Sequence, residues 1–217
     1  MNILHCFADT GVESEALSAY GEVTRVGLDP DDTLFTDHLI QADARELSLS
    51  TTFDLGLFHP PCPKWATPTH IDGDRESHDN LIPTARDLAR EYCDEWIIEN
   101  VPNAPLHDPV TLNGGMFGLP LHYERSFETS YHVDQPRQQK RLTEPPERLQ
   151  EHHATGHFTG SKELWKSVKG YTGDYDSRSF KRSAVPRPYL NYLVRPLLLA
   201  NTPAHPASTH AATVGKS

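Results

Sequence analysis

Two short apolar runs, each followed at once by residues that can carry chemistry, constrain the fold most. Phe53–Phe58 leads into Pro60-Pro61-Cys62, and Trp96–Ile98 leads into Glu99-Asn100-Val101. Neighbouring parallel strands end at the same edge of an open α/β sheet, where ligands collect, so these two runs would bring a thiol and a carboxyl group together. A Cys nucleophile beside an acid suits attack on an electron-poor pyrimidine ring, because the acid can protonate the ring as the sulfur adds.

The rest of the chain alternates between strand and helix patterns. Further strands are predicted at Ile3–Phe7, Val23–Leu28 and Leu39–Asp43, and helices at Glu13–Tyr20 and Leu81–Tyr92. This alternation predicts a parallel sheet with helices on both faces. We interpret the acidic residues at the start of the first helix as complementing its dipole.

The later segments give weaker patterns. We predict a loop over 67–80, a strand pair within 116–131 around Leu119-Pro120, an irregular insert over 132–180 and a disordered tail over 202–217. A closing helix is predicted at Tyr189–Ala200, with Pro196 as a kink or an early end.

Composition excludes several classes of protein. The 217 residues suffice for one domain with a small appendage, and no run of 18 apolar residues predicts a membrane span. The first residues do not form a signal-peptide pattern. Three cysteines (Cys6, Cys62, Cys93) without tight spacing argue against a disulfide framework or a structural zinc site. We therefore expect a cytoplasmic protein without a metal, in the host cytoplasm if the protein is viral.

The charge is unevenly distributed. Residues 1–131 contain 23 acidic and 7 basic residues, whereas residues 132–195 contain 12 basic and 7 acidic ones. A basic segment on an acidic body is typical of a phosphate-contacting face, although a basic surface segment without that role fits the counts equally well.

Four motifs, in order, resemble the DNA (cytosine-5) methyltransferases. Besides Pro60-Pro61-Cys62 and Glu99-Asn100-Val101, the segment from Thr111 through Glu128 is similar to that family's next block, above all in short phage-type members, and Ser183–Tyr189 is similar to its C-terminal motif. The resemblance covers roughly residues 3–200 and implies a Rossmann-like fold of S-adenosylmethionine-dependent methyltransferases with a small basic insert.

The resemblance implies the catalytic roles. Cys62 would add to C6 of cytosine, Glu99 would protonate or hydrogen-bond N3, and Arg125 would steady the base and the acid. Substrate contacts would come from Pro61, Asn100, Val101, Lys140 and Arg141, with the Asn100 amide joining the two loops. The family's preceding arginine is Tyr123 here.

The cofactor pocket implied by the resemblance lies mainly in the first half of the chain. The loop Phe7-Ala8-Asp9-Thr10-Gly11 keeps one of the family's three glycines. Asp29 would bond the ribose hydroxyls, as an acid at this strand end does in Rossmann-like sites. The remaining predicted contacts are Pro30, Asp43, Ala44, Pro60, Ser183 and Ala184, with Ser183 in place of the family's usual asparagine.

Two features of the basic segment stay open. Trp165, Tyr171 and Tyr175 could stack on bases or form a small core of the insert. The roughly 50 residues of 132–180 are few for reading a DNA sequence, so the substrate could be read over a short site, be single-stranded, or need a second subunit.

Together these patterns predict a catalytic and cofactor-binding domain over 1–131, a target-recognition insert over 132–180, and a returning segment over 181–201. The predicted function is methyl transfer to C5 of cytosine in DNA, as in restriction-modification. Two alternatives stay open: a catalytically silent DNA-binding or anti-restriction protein with this fold, and an enzyme that modifies C5 of a free pyrimidine nucleotide.

Overall fold

A seven-stranded sheet forms the centre of the molecule. The computed structural model describes residues 1–31, 35–66, 74–138, 149, 151–152 and 157–200, with the backbone alone at 151–152, 157–158 and 177–179. The sheet strands are β1 (Asn2–Cys6), β2 (Glu22–Gly27), β3 (His38–Gln41), β4 (Phe53–Phe58), β5 (Cys93–Asn100), β6 (Val110–Leu112) and β7 (Arg125–Thr129). Two short strands, β8 (Glu151–His152) and β9 (His157–Phe158), form a separate pair.

The strand order is β3-β2-β1-β4-β5-β7-β6. Strands β1 to β5 run parallel to one another, and β7 runs antiparallel to both β5 and β6. The order reverses between β1 and β4, where open α/β sheets place their ligands, beyond the carboxyl ends of the strands.

Helices cover both faces of the sheet, as the alternation predicts. The helices are α1 (Val12–Leu17), α2 (Ile82–Tyr92), α3 (Lys162–Lys169), α4 (Ser177–Ser183) and α5 (Arg187–Ala200). Alternate strand residues point to opposite faces. Ile3 and Leu55 join the core that includes α5, whereas Leu4 and Phe58 join the core that includes α2. No helix in the described part of the chain is both long and apolar enough to cross a bilayer.

The strand pair predicted within 116–131 is wrong in its first member. The partner of β7 is β6 at Val110–Leu112, and Gly114–Phe117 form a 3-10 turn instead. This turn ends at Gly118, whose φ of 70° lies in the left-handed region that glycine tolerates best. A three-residue strand is too short to produce a visible alternation, which is why the sequence pattern missed β6.

Pro196 does not end the closing helix. It lies inside α5, which continues to Ala200. Proline removes one backbone donor, and a helix near its exposed end tolerates this loss more readily than a buried one. The early end considered from sequence is therefore wrong.

The basic segment contains helices that its sequence did not reveal. The Ser161 hydroxyl accepts from the Leu164 amide at the start of α3, and Gly170, with a φ of 84°, ends it. Trp165, Tyr171 and Tyr175 are buried, so they offer no exposed ring face for base stacking. They belong to the main core that includes α1 and α5 and do not form the separate small core considered from sequence. Lys140, Arg141 and the tail 202–217 lie outside the described residues.

Candidate active site

Sheet register brings the predicted catalytic residues to one edge. Phe58 pairs with Ile98, so His59 and Glu99 follow neighbouring positions on β4 and β5. Asn100 pairs with Ser126 of the antiparallel β7, which places Arg125, the first residue of β7, beside the carboxyl end of β5.

Glu99 lies between two cationic side chains. It is 7% exposed. Its Oε1 forms an ion pair with Arg125 Nε at 2.9 Å, and its Oε2 accepts from His59 Nδ1 at 3.1 Å. Among the described residues no hydrogen-bond donor is well aligned with Oε1. Oε1 is itself buried beside the Arg125 guanidinium, while Oε2 is bound to His59.

Arg125 is fixed by the protein on three sides. Its two terminal nitrogens donate to the carbonyl oxygens of Arg182 at 2.7 Å and Glu124 at 2.8 Å. Its guanidinium carbon lies 3.9 Å from the centroid of the Tyr123 ring. The Tyr123 hydroxyl donates to the same Arg182 carbonyl at 2.8 Å. Tyr123 thus supports Arg125 through a cation–π contact.

Cys62 lies on the loop that follows β4 and is partly exposed. The Trp65 and Ala66 amides both donate to its carbonyl, at 2.9 and 3.0 Å, which closes a tight turn around it. Burial and the nearby Glu99 carboxylate raise the pKa of the Cys62 thiol above 9.0, and Arg125 opposes them in part. The thiol is therefore mostly protonated near neutral pH in this arrangement.

Asn100 joins the loops that follow β4 and β5. Its side-chain amide donates to the Pro60 carbonyl at 2.9 Å, and its side-chain oxygen accepts from the Val101 amide at 2.9 Å. Both bonds hold backbone, so the contacts of Asn100 match the joining role expected from its sequence position. Pro60 is buried and Pro61 is exposed at the same loop.

The predicted cofactor loop is held from beneath by a buried arginine. The Arg25 side chain, fully buried on β2, donates to the carbonyls of Ala8 at 3.4 Å and Asp9 at 3.1 Å, and to that of Asp31. Phe7 has a φ of 59°, a left-handed conformation that is uncommon for a residue with a side chain. Such a constrained loop at the carboxyl end of β1 is typical of a functional site.

Two residues of this loop serve its own structure. The Asp9 carboxylate accepts from the Asp29 amide at 3.1 Å, which joins the ends of β1 and β2. Gly11 has a φ of 60° and precedes α1, and a Cβ there would collide with the Arg25 guanidinium. Thr10 lines a small cavity of about 40 Å³ together with Tyr175 and Phe180.

The other predicted cofactor contacts lie along the same edge. Asp29 is exposed at the end of β2, next to Pro30. Asp43 is occupied by Arg45, whose side chain lies 2.6 Å away and, through hydrogen bonds, lowers the pKa of Asp43 to about 2. Ala44 is buried in the core beneath α2.

The returning C-terminal segment packs against α1. Glu13 accepts from the Val185 amide at 2.8 Å, and buried Lys169 donates to the Ala184 carbonyl. Ser183 is exposed at the end of α4. Ala184 therefore contributes its backbone to the protein interior.

Sequence reasoning missed a buried cluster of polar side chains behind Glu99, formed by His59, His5 and Glu13. The His59 ring lies 5.3 Å from the His5 ring, edge to face, and His5 Nε2 lies 3.8 Å from the Glu13 carboxylate. Both Nε2 atoms are buried without a hydrogen-bond partner among the described residues. The available signal was a histidine inside the apolar run of β1 and another directly before Pro60.

His5, Glu13 and His59 could also be considered as metal ligands. Their donor atoms lie within 4.8 Å of one another. Nitrogen and oxygen ligands on one tetrahedral zinc lie about 3.3 Å apart, since each bond is about 2.0 Å. The 3.8 Å between His5 and Glu13 is wider. We assign no metal to this group, and the expectation of a metal-free protein stays a prediction.

Much of the described positive charge in the basic segment is engaged inside the protein. Lys169 is fully buried and lies 3.9 Å from the Tyr123 ring centroid. Lys162 pairs with Asp174 at 2.6 Å, and Lys166 and Lys181 donate to backbone carbonyls. The number of basic residues in this segment therefore overstates the positive charge that is free to contact phosphates.

Comparison with known proteins establishes the fold. No family model and no curated protein matches the chain. A methyltransferase of Entamoeba histolytica is similar in structure, with a TM-score of 0.55 over 91% of this chain and 98% of that one, at 9% sequence identity. This similarity confirms the predicted Rossmann-like methyltransferase fold.

Two other solved structures match more weakly. One is an E. coli prophage-encoded protein assigned as a DNA modification methyltransferase, with a TM-score of 0.44 and 18% identity over 58% of this chain. This chain spans 45% of that protein's length. The other is a Thermoplasma acidophilum protein with a TM-score of 0.39 and 13% identity, covering 59% of this chain and 77% of that one.

Proposed function

We propose that the protein is a DNA cytosine-5 methyltransferase that uses S-adenosylmethionine. The observation that carries the proposal is the arrangement of Glu99. It is a buried carboxylate held by Arg125 at 2.9 Å and by His59 at 3.1 Å, at the same sheet edge as the Cys62 loop. The sequence motifs support the choice of cytosine as the reacting base.

Cys62 acts as the nucleophile in this proposal. Its thiolate adds to C6 of the ring, so that a C6–S bond forms and the electrons of the C5–C6 double bond shift toward N3, which takes a proton. The C5 carbon then has enamine character. Loss of the C5 proton after methyl transfer lets the sulfur leave and restores the aromatic ring.

Glu99 and Arg125 orient and stabilise the ring during this addition. The Glu99 carboxylate would face N3, with Arg125 beside its Oε1 and His59 bound to its Oε2. Arg125 keeps its geometry through the Arg182 and Glu124 carbonyls and the Tyr123 ring. A charged group already fixed in position costs little reorganisation when charge develops on the ring.

Residues along the β1 and β2 ends fit the recognition of S-adenosylmethionine. The exposed Asp29 carboxylate offers acceptors for ribose hydroxyls, and the constrained Phe7–Gly11 loop presents backbone at the carboxyl end of β1. When bound, this cofactor would supply an electrophilic methyl group to C5. The 40 Å³ cavity at Thr10 is far below the several hundred Å³ of ordinary ligand pockets, so binding would need the 174–180 segment to move aside.

DNA is the proposed substrate because the site must reach a base. A base inside a duplex has to be flipped out before Cys62 can touch it, which costs a few kcal/mol. Lys140 and Arg141 belong to the proposal as phosphate or base contacts, together with Pro61, Asn100 and Val101 on the catalytic loops.

The test uses radiolabelled S-adenosylmethionine with single- and double-stranded DNA of mixed sequence. We expect label in 5-methylcytosine from the wild type and none from Cys62→Ala, because no other group can form the C6 adduct. Cys93→Ala is the matched control, since Cys93 is also a free, partly buried cysteine and should leave the activity in place. Full activity of Cys62→Ala would contradict the mechanism.

One observation favours a second candidate, the catalytically silent DNA-binding or anti-restriction protein. The loop that would contact the cofactor is bonded to Arg25 and borders a cavity of only about 40 Å³ with Tyr175 and Phe180. Calorimetric titration with S-adenosylmethionine separates the two, because a silent protein would show no binding. Methylation of dCMP or dUMP without any polymer would indicate the free-nucleotide enzyme instead.

A further inference from the structure

We propose that His59, in its doubly protonated form, stores the proton that Glu99 passes to N3 of the cytosine ring. This inference rests on the proposed function and adds to it a positioning residue that acts through Glu99.

Glu99 cannot easily supply a proton by itself. Its Oε1 lies 2.9 Å from Arg125 Nε, and its Oε2 accepts from His59 Nδ1, so both oxygens face N–H groups of the protein. A carboxylate that only accepts hydrogen bonds has no proton to donate. The proton for N3 must therefore arrive from a neighbour, and His59 Nδ1 lies 3.1 Å from Glu99 Oε2.

The surroundings of His59 favour its protonated form. Glu13 of α1 lies behind the ring, Glu99 of β5 accepts its Nδ1 proton, and Arg125 of β7 and His5 of β1 are the neighbouring basic groups. Burial alone would lower the pKa of His59, but the two carboxylates outweigh burial and raise it above 6.5. The neighbouring His5 has a lowered pKa because it is buried next to His59, so His5 stays neutral.

The step balances without any further reactant. The His59 Nδ1 proton first passes to Glu99 Oε2, which leaves His59 neutral and Glu99 protonated. As the Cys62 thiolate then forms the C6–S bond, the ring nitrogen N3 takes this proton, and Glu99 is ionised again. When the C6–S bond breaks again, the sulfur leaves as thiolate and N3 returns its proton along the same route.

The register of β4 and β5 places His59 next to Glu99. His59 follows β4 and Glu99 lies on β5 directly across from it, so a two-strand register fixes the donor and acceptor. The ring Nε2 has no hydrogen-bond partner among the described residues and faces the Glu13 side. The strand register therefore fixes the His59–Glu99 pair on the substrate side, and the Glu13 carboxylate stabilises the protonated His59 ring from the opposite side.

The first arm of the test measures the proton directly. NMR titration of the histidine side chains of the full-length protein, with the His59 signal assigned through His59→Asn, should give His59 a pKa above 6.5 that falls in Glu99→Gln. A His59 pKa at or below 6.5, or one that Glu99→Gln does not change, would overturn the proposal. This arm needs no activity, so it stays decisive even where the wild type labels no DNA and the proposed function itself fails.

The second arm uses the pH dependence of methylation. The rate depends on the product of two fractions, the fraction of Cys62 present as thiolate and the fraction of His59 that is protonated. The pKa of His59 is lower than that of Cys62. Wild-type kcat/KM should therefore rise up to the pKa of His59, stay flat, and fall above the pKa of Cys62. In His59→Asn the side-chain amide can still donate to Glu99 but cannot lose a proton. Its kcat should drop about a hundredfold and rise monotonically with pH until Cys62 is ionised.

His132→Asn is the matched control, since His132 is an exposed histidine paired only with Asp134 in the described structure. It should keep the wild-type rate and profile. A His59→Asn variant that behaves like His132→Asn would overturn the proton role. Metal analysis of the purified protein adds a last check, because one equivalent of zinc lost in His59→Asn would make His59 a ligand and also overturn it.

Discussion

At the residue scale, the reactivity of Cys62 is set by two opposing neighbours. Burial and the Glu99 carboxylate raise the pKa of the thiol, whereas Arg125 lowers it. The same Glu99 that would serve the ring thus makes the free nucleophile harder to ionise. A substrate that takes up the Glu99 contact would relieve part of this effect, so thiolate formation and base binding should be coupled.

Alkylation of Cys62 tests this balance without any substrate. In Glu99→Gln the pKa of Cys62 should fall, because the negative charge that disfavours the thiolate is gone. The iodoacetamide rate at pH 8 should then rise a few-fold, followed by mass spectrometry of the intact protein. Burial raises the pKa of Cys6 and Cys93 to about 12, so their slower reaction does not obscure that of Cys62.

Arg125→Gln should act in the opposite direction and slow the alkylation, since it removes the cation that favours the thiolate. Glu76→Gln is the control, because this carboxyl group is 87% exposed. Equal rates in Glu99→Gln and the wild type would show that Glu99 does not act on the thiol.

The residues at the strand ends were predictable, and those behind them were not. Cys62, Glu99 and Arg125 follow or begin strands, so their convergence follows from parallel order and register. His5 and Glu13 lie in an apolar strand and a helix start, where no local pattern indicates a partner 40 or 50 residues away. The sequence pattern also explained Glu13 by the helix dipole, whereas the structure shows it bonded to the Val185 amide.

At the element scale, a buried ion pair holds α2 against β7. Arg86 of α2 donates to both carboxylate oxygens of Glu128, at 2.8 and 2.7 Å, and the His107 amide donates to the same carboxylate at 2.8 Å. Burial alone would raise the pKa of Glu128, but these donors outweigh it and lower the pKa. The carboxylate therefore stabilises the fold in its ionised form.

Glu128→Gln should lower the free energy of unfolding by about 3 kcal/mol, because it leaves Arg86, whose side chain is only 11% exposed, without its counter-ion. Urea denaturation at pH 7 measures the loss, with the exposed Glu91→Gln on α2 as control. The difference between wild type and variant should shrink as pH falls below 4.5, since a lowered folded pKa gives stability that is lost as the carboxyl group protonates. A difference that stays constant down to pH 2 would contradict this account.

Strands and helices were predictable where the local pattern of apolar residues was clear. The core strands β1, β2 and β4 were predicted because each is rich in apolar residues, as buried parallel strands usually are, although single polar residues such as His5, Arg25 and Asp54 interrupt them. Helix α3 was not predicted, although Ser161 and Gly170 provide an N-cap and a C-terminal glycine. Its eight residues contain three lysines and one buried tryptophan, so the apolar face is too narrow to give a clear helical period.

At the scale of the whole molecule, α1 connects the first and last parts of the chain. The buried Glu15 carboxylate accepts from the Thr172 and Gly173 amides at 2.8 and 3.0 Å, from the Tyr175 hydroxyl at 2.8 Å, and from Arg187 at 2.9 Å. These partners lie more than 150 residues later in the sequence. One side chain of α1 therefore fixes the segment that borders Thr10 of the predicted cofactor loop.

Glu15→Gln tests this connection. A glutamine has one acceptor oxygen where the carboxylate has two, so the buried donors around Glu15 would lose partners and the free energy of unfolding should fall by about 3 kcal/mol. Hydrogen exchange should show that amides in 171–187 lose protection first, while those of β4 and β5 keep theirs. The carboxylate stabilises in its ionised form, because its donors outweigh burial and lower the pKa of Glu15.

The stabilisation by Glu15 should therefore be complete above pH 4.5 and lost as pH falls through its lowered folded pKa. Glu46→Gln is the matched control, because Glu46 is an exposed carboxyl group in the short turn that follows β3. It should change neither the free energy of unfolding nor the exchange pattern. Uniform loss of protection over the whole sheet in Glu15→Gln would mean that the C-terminal segment unfolds only with the rest of the protein. Local loss confined to 171–187 would instead identify this segment as the part that can move aside from the Thr10 cavity.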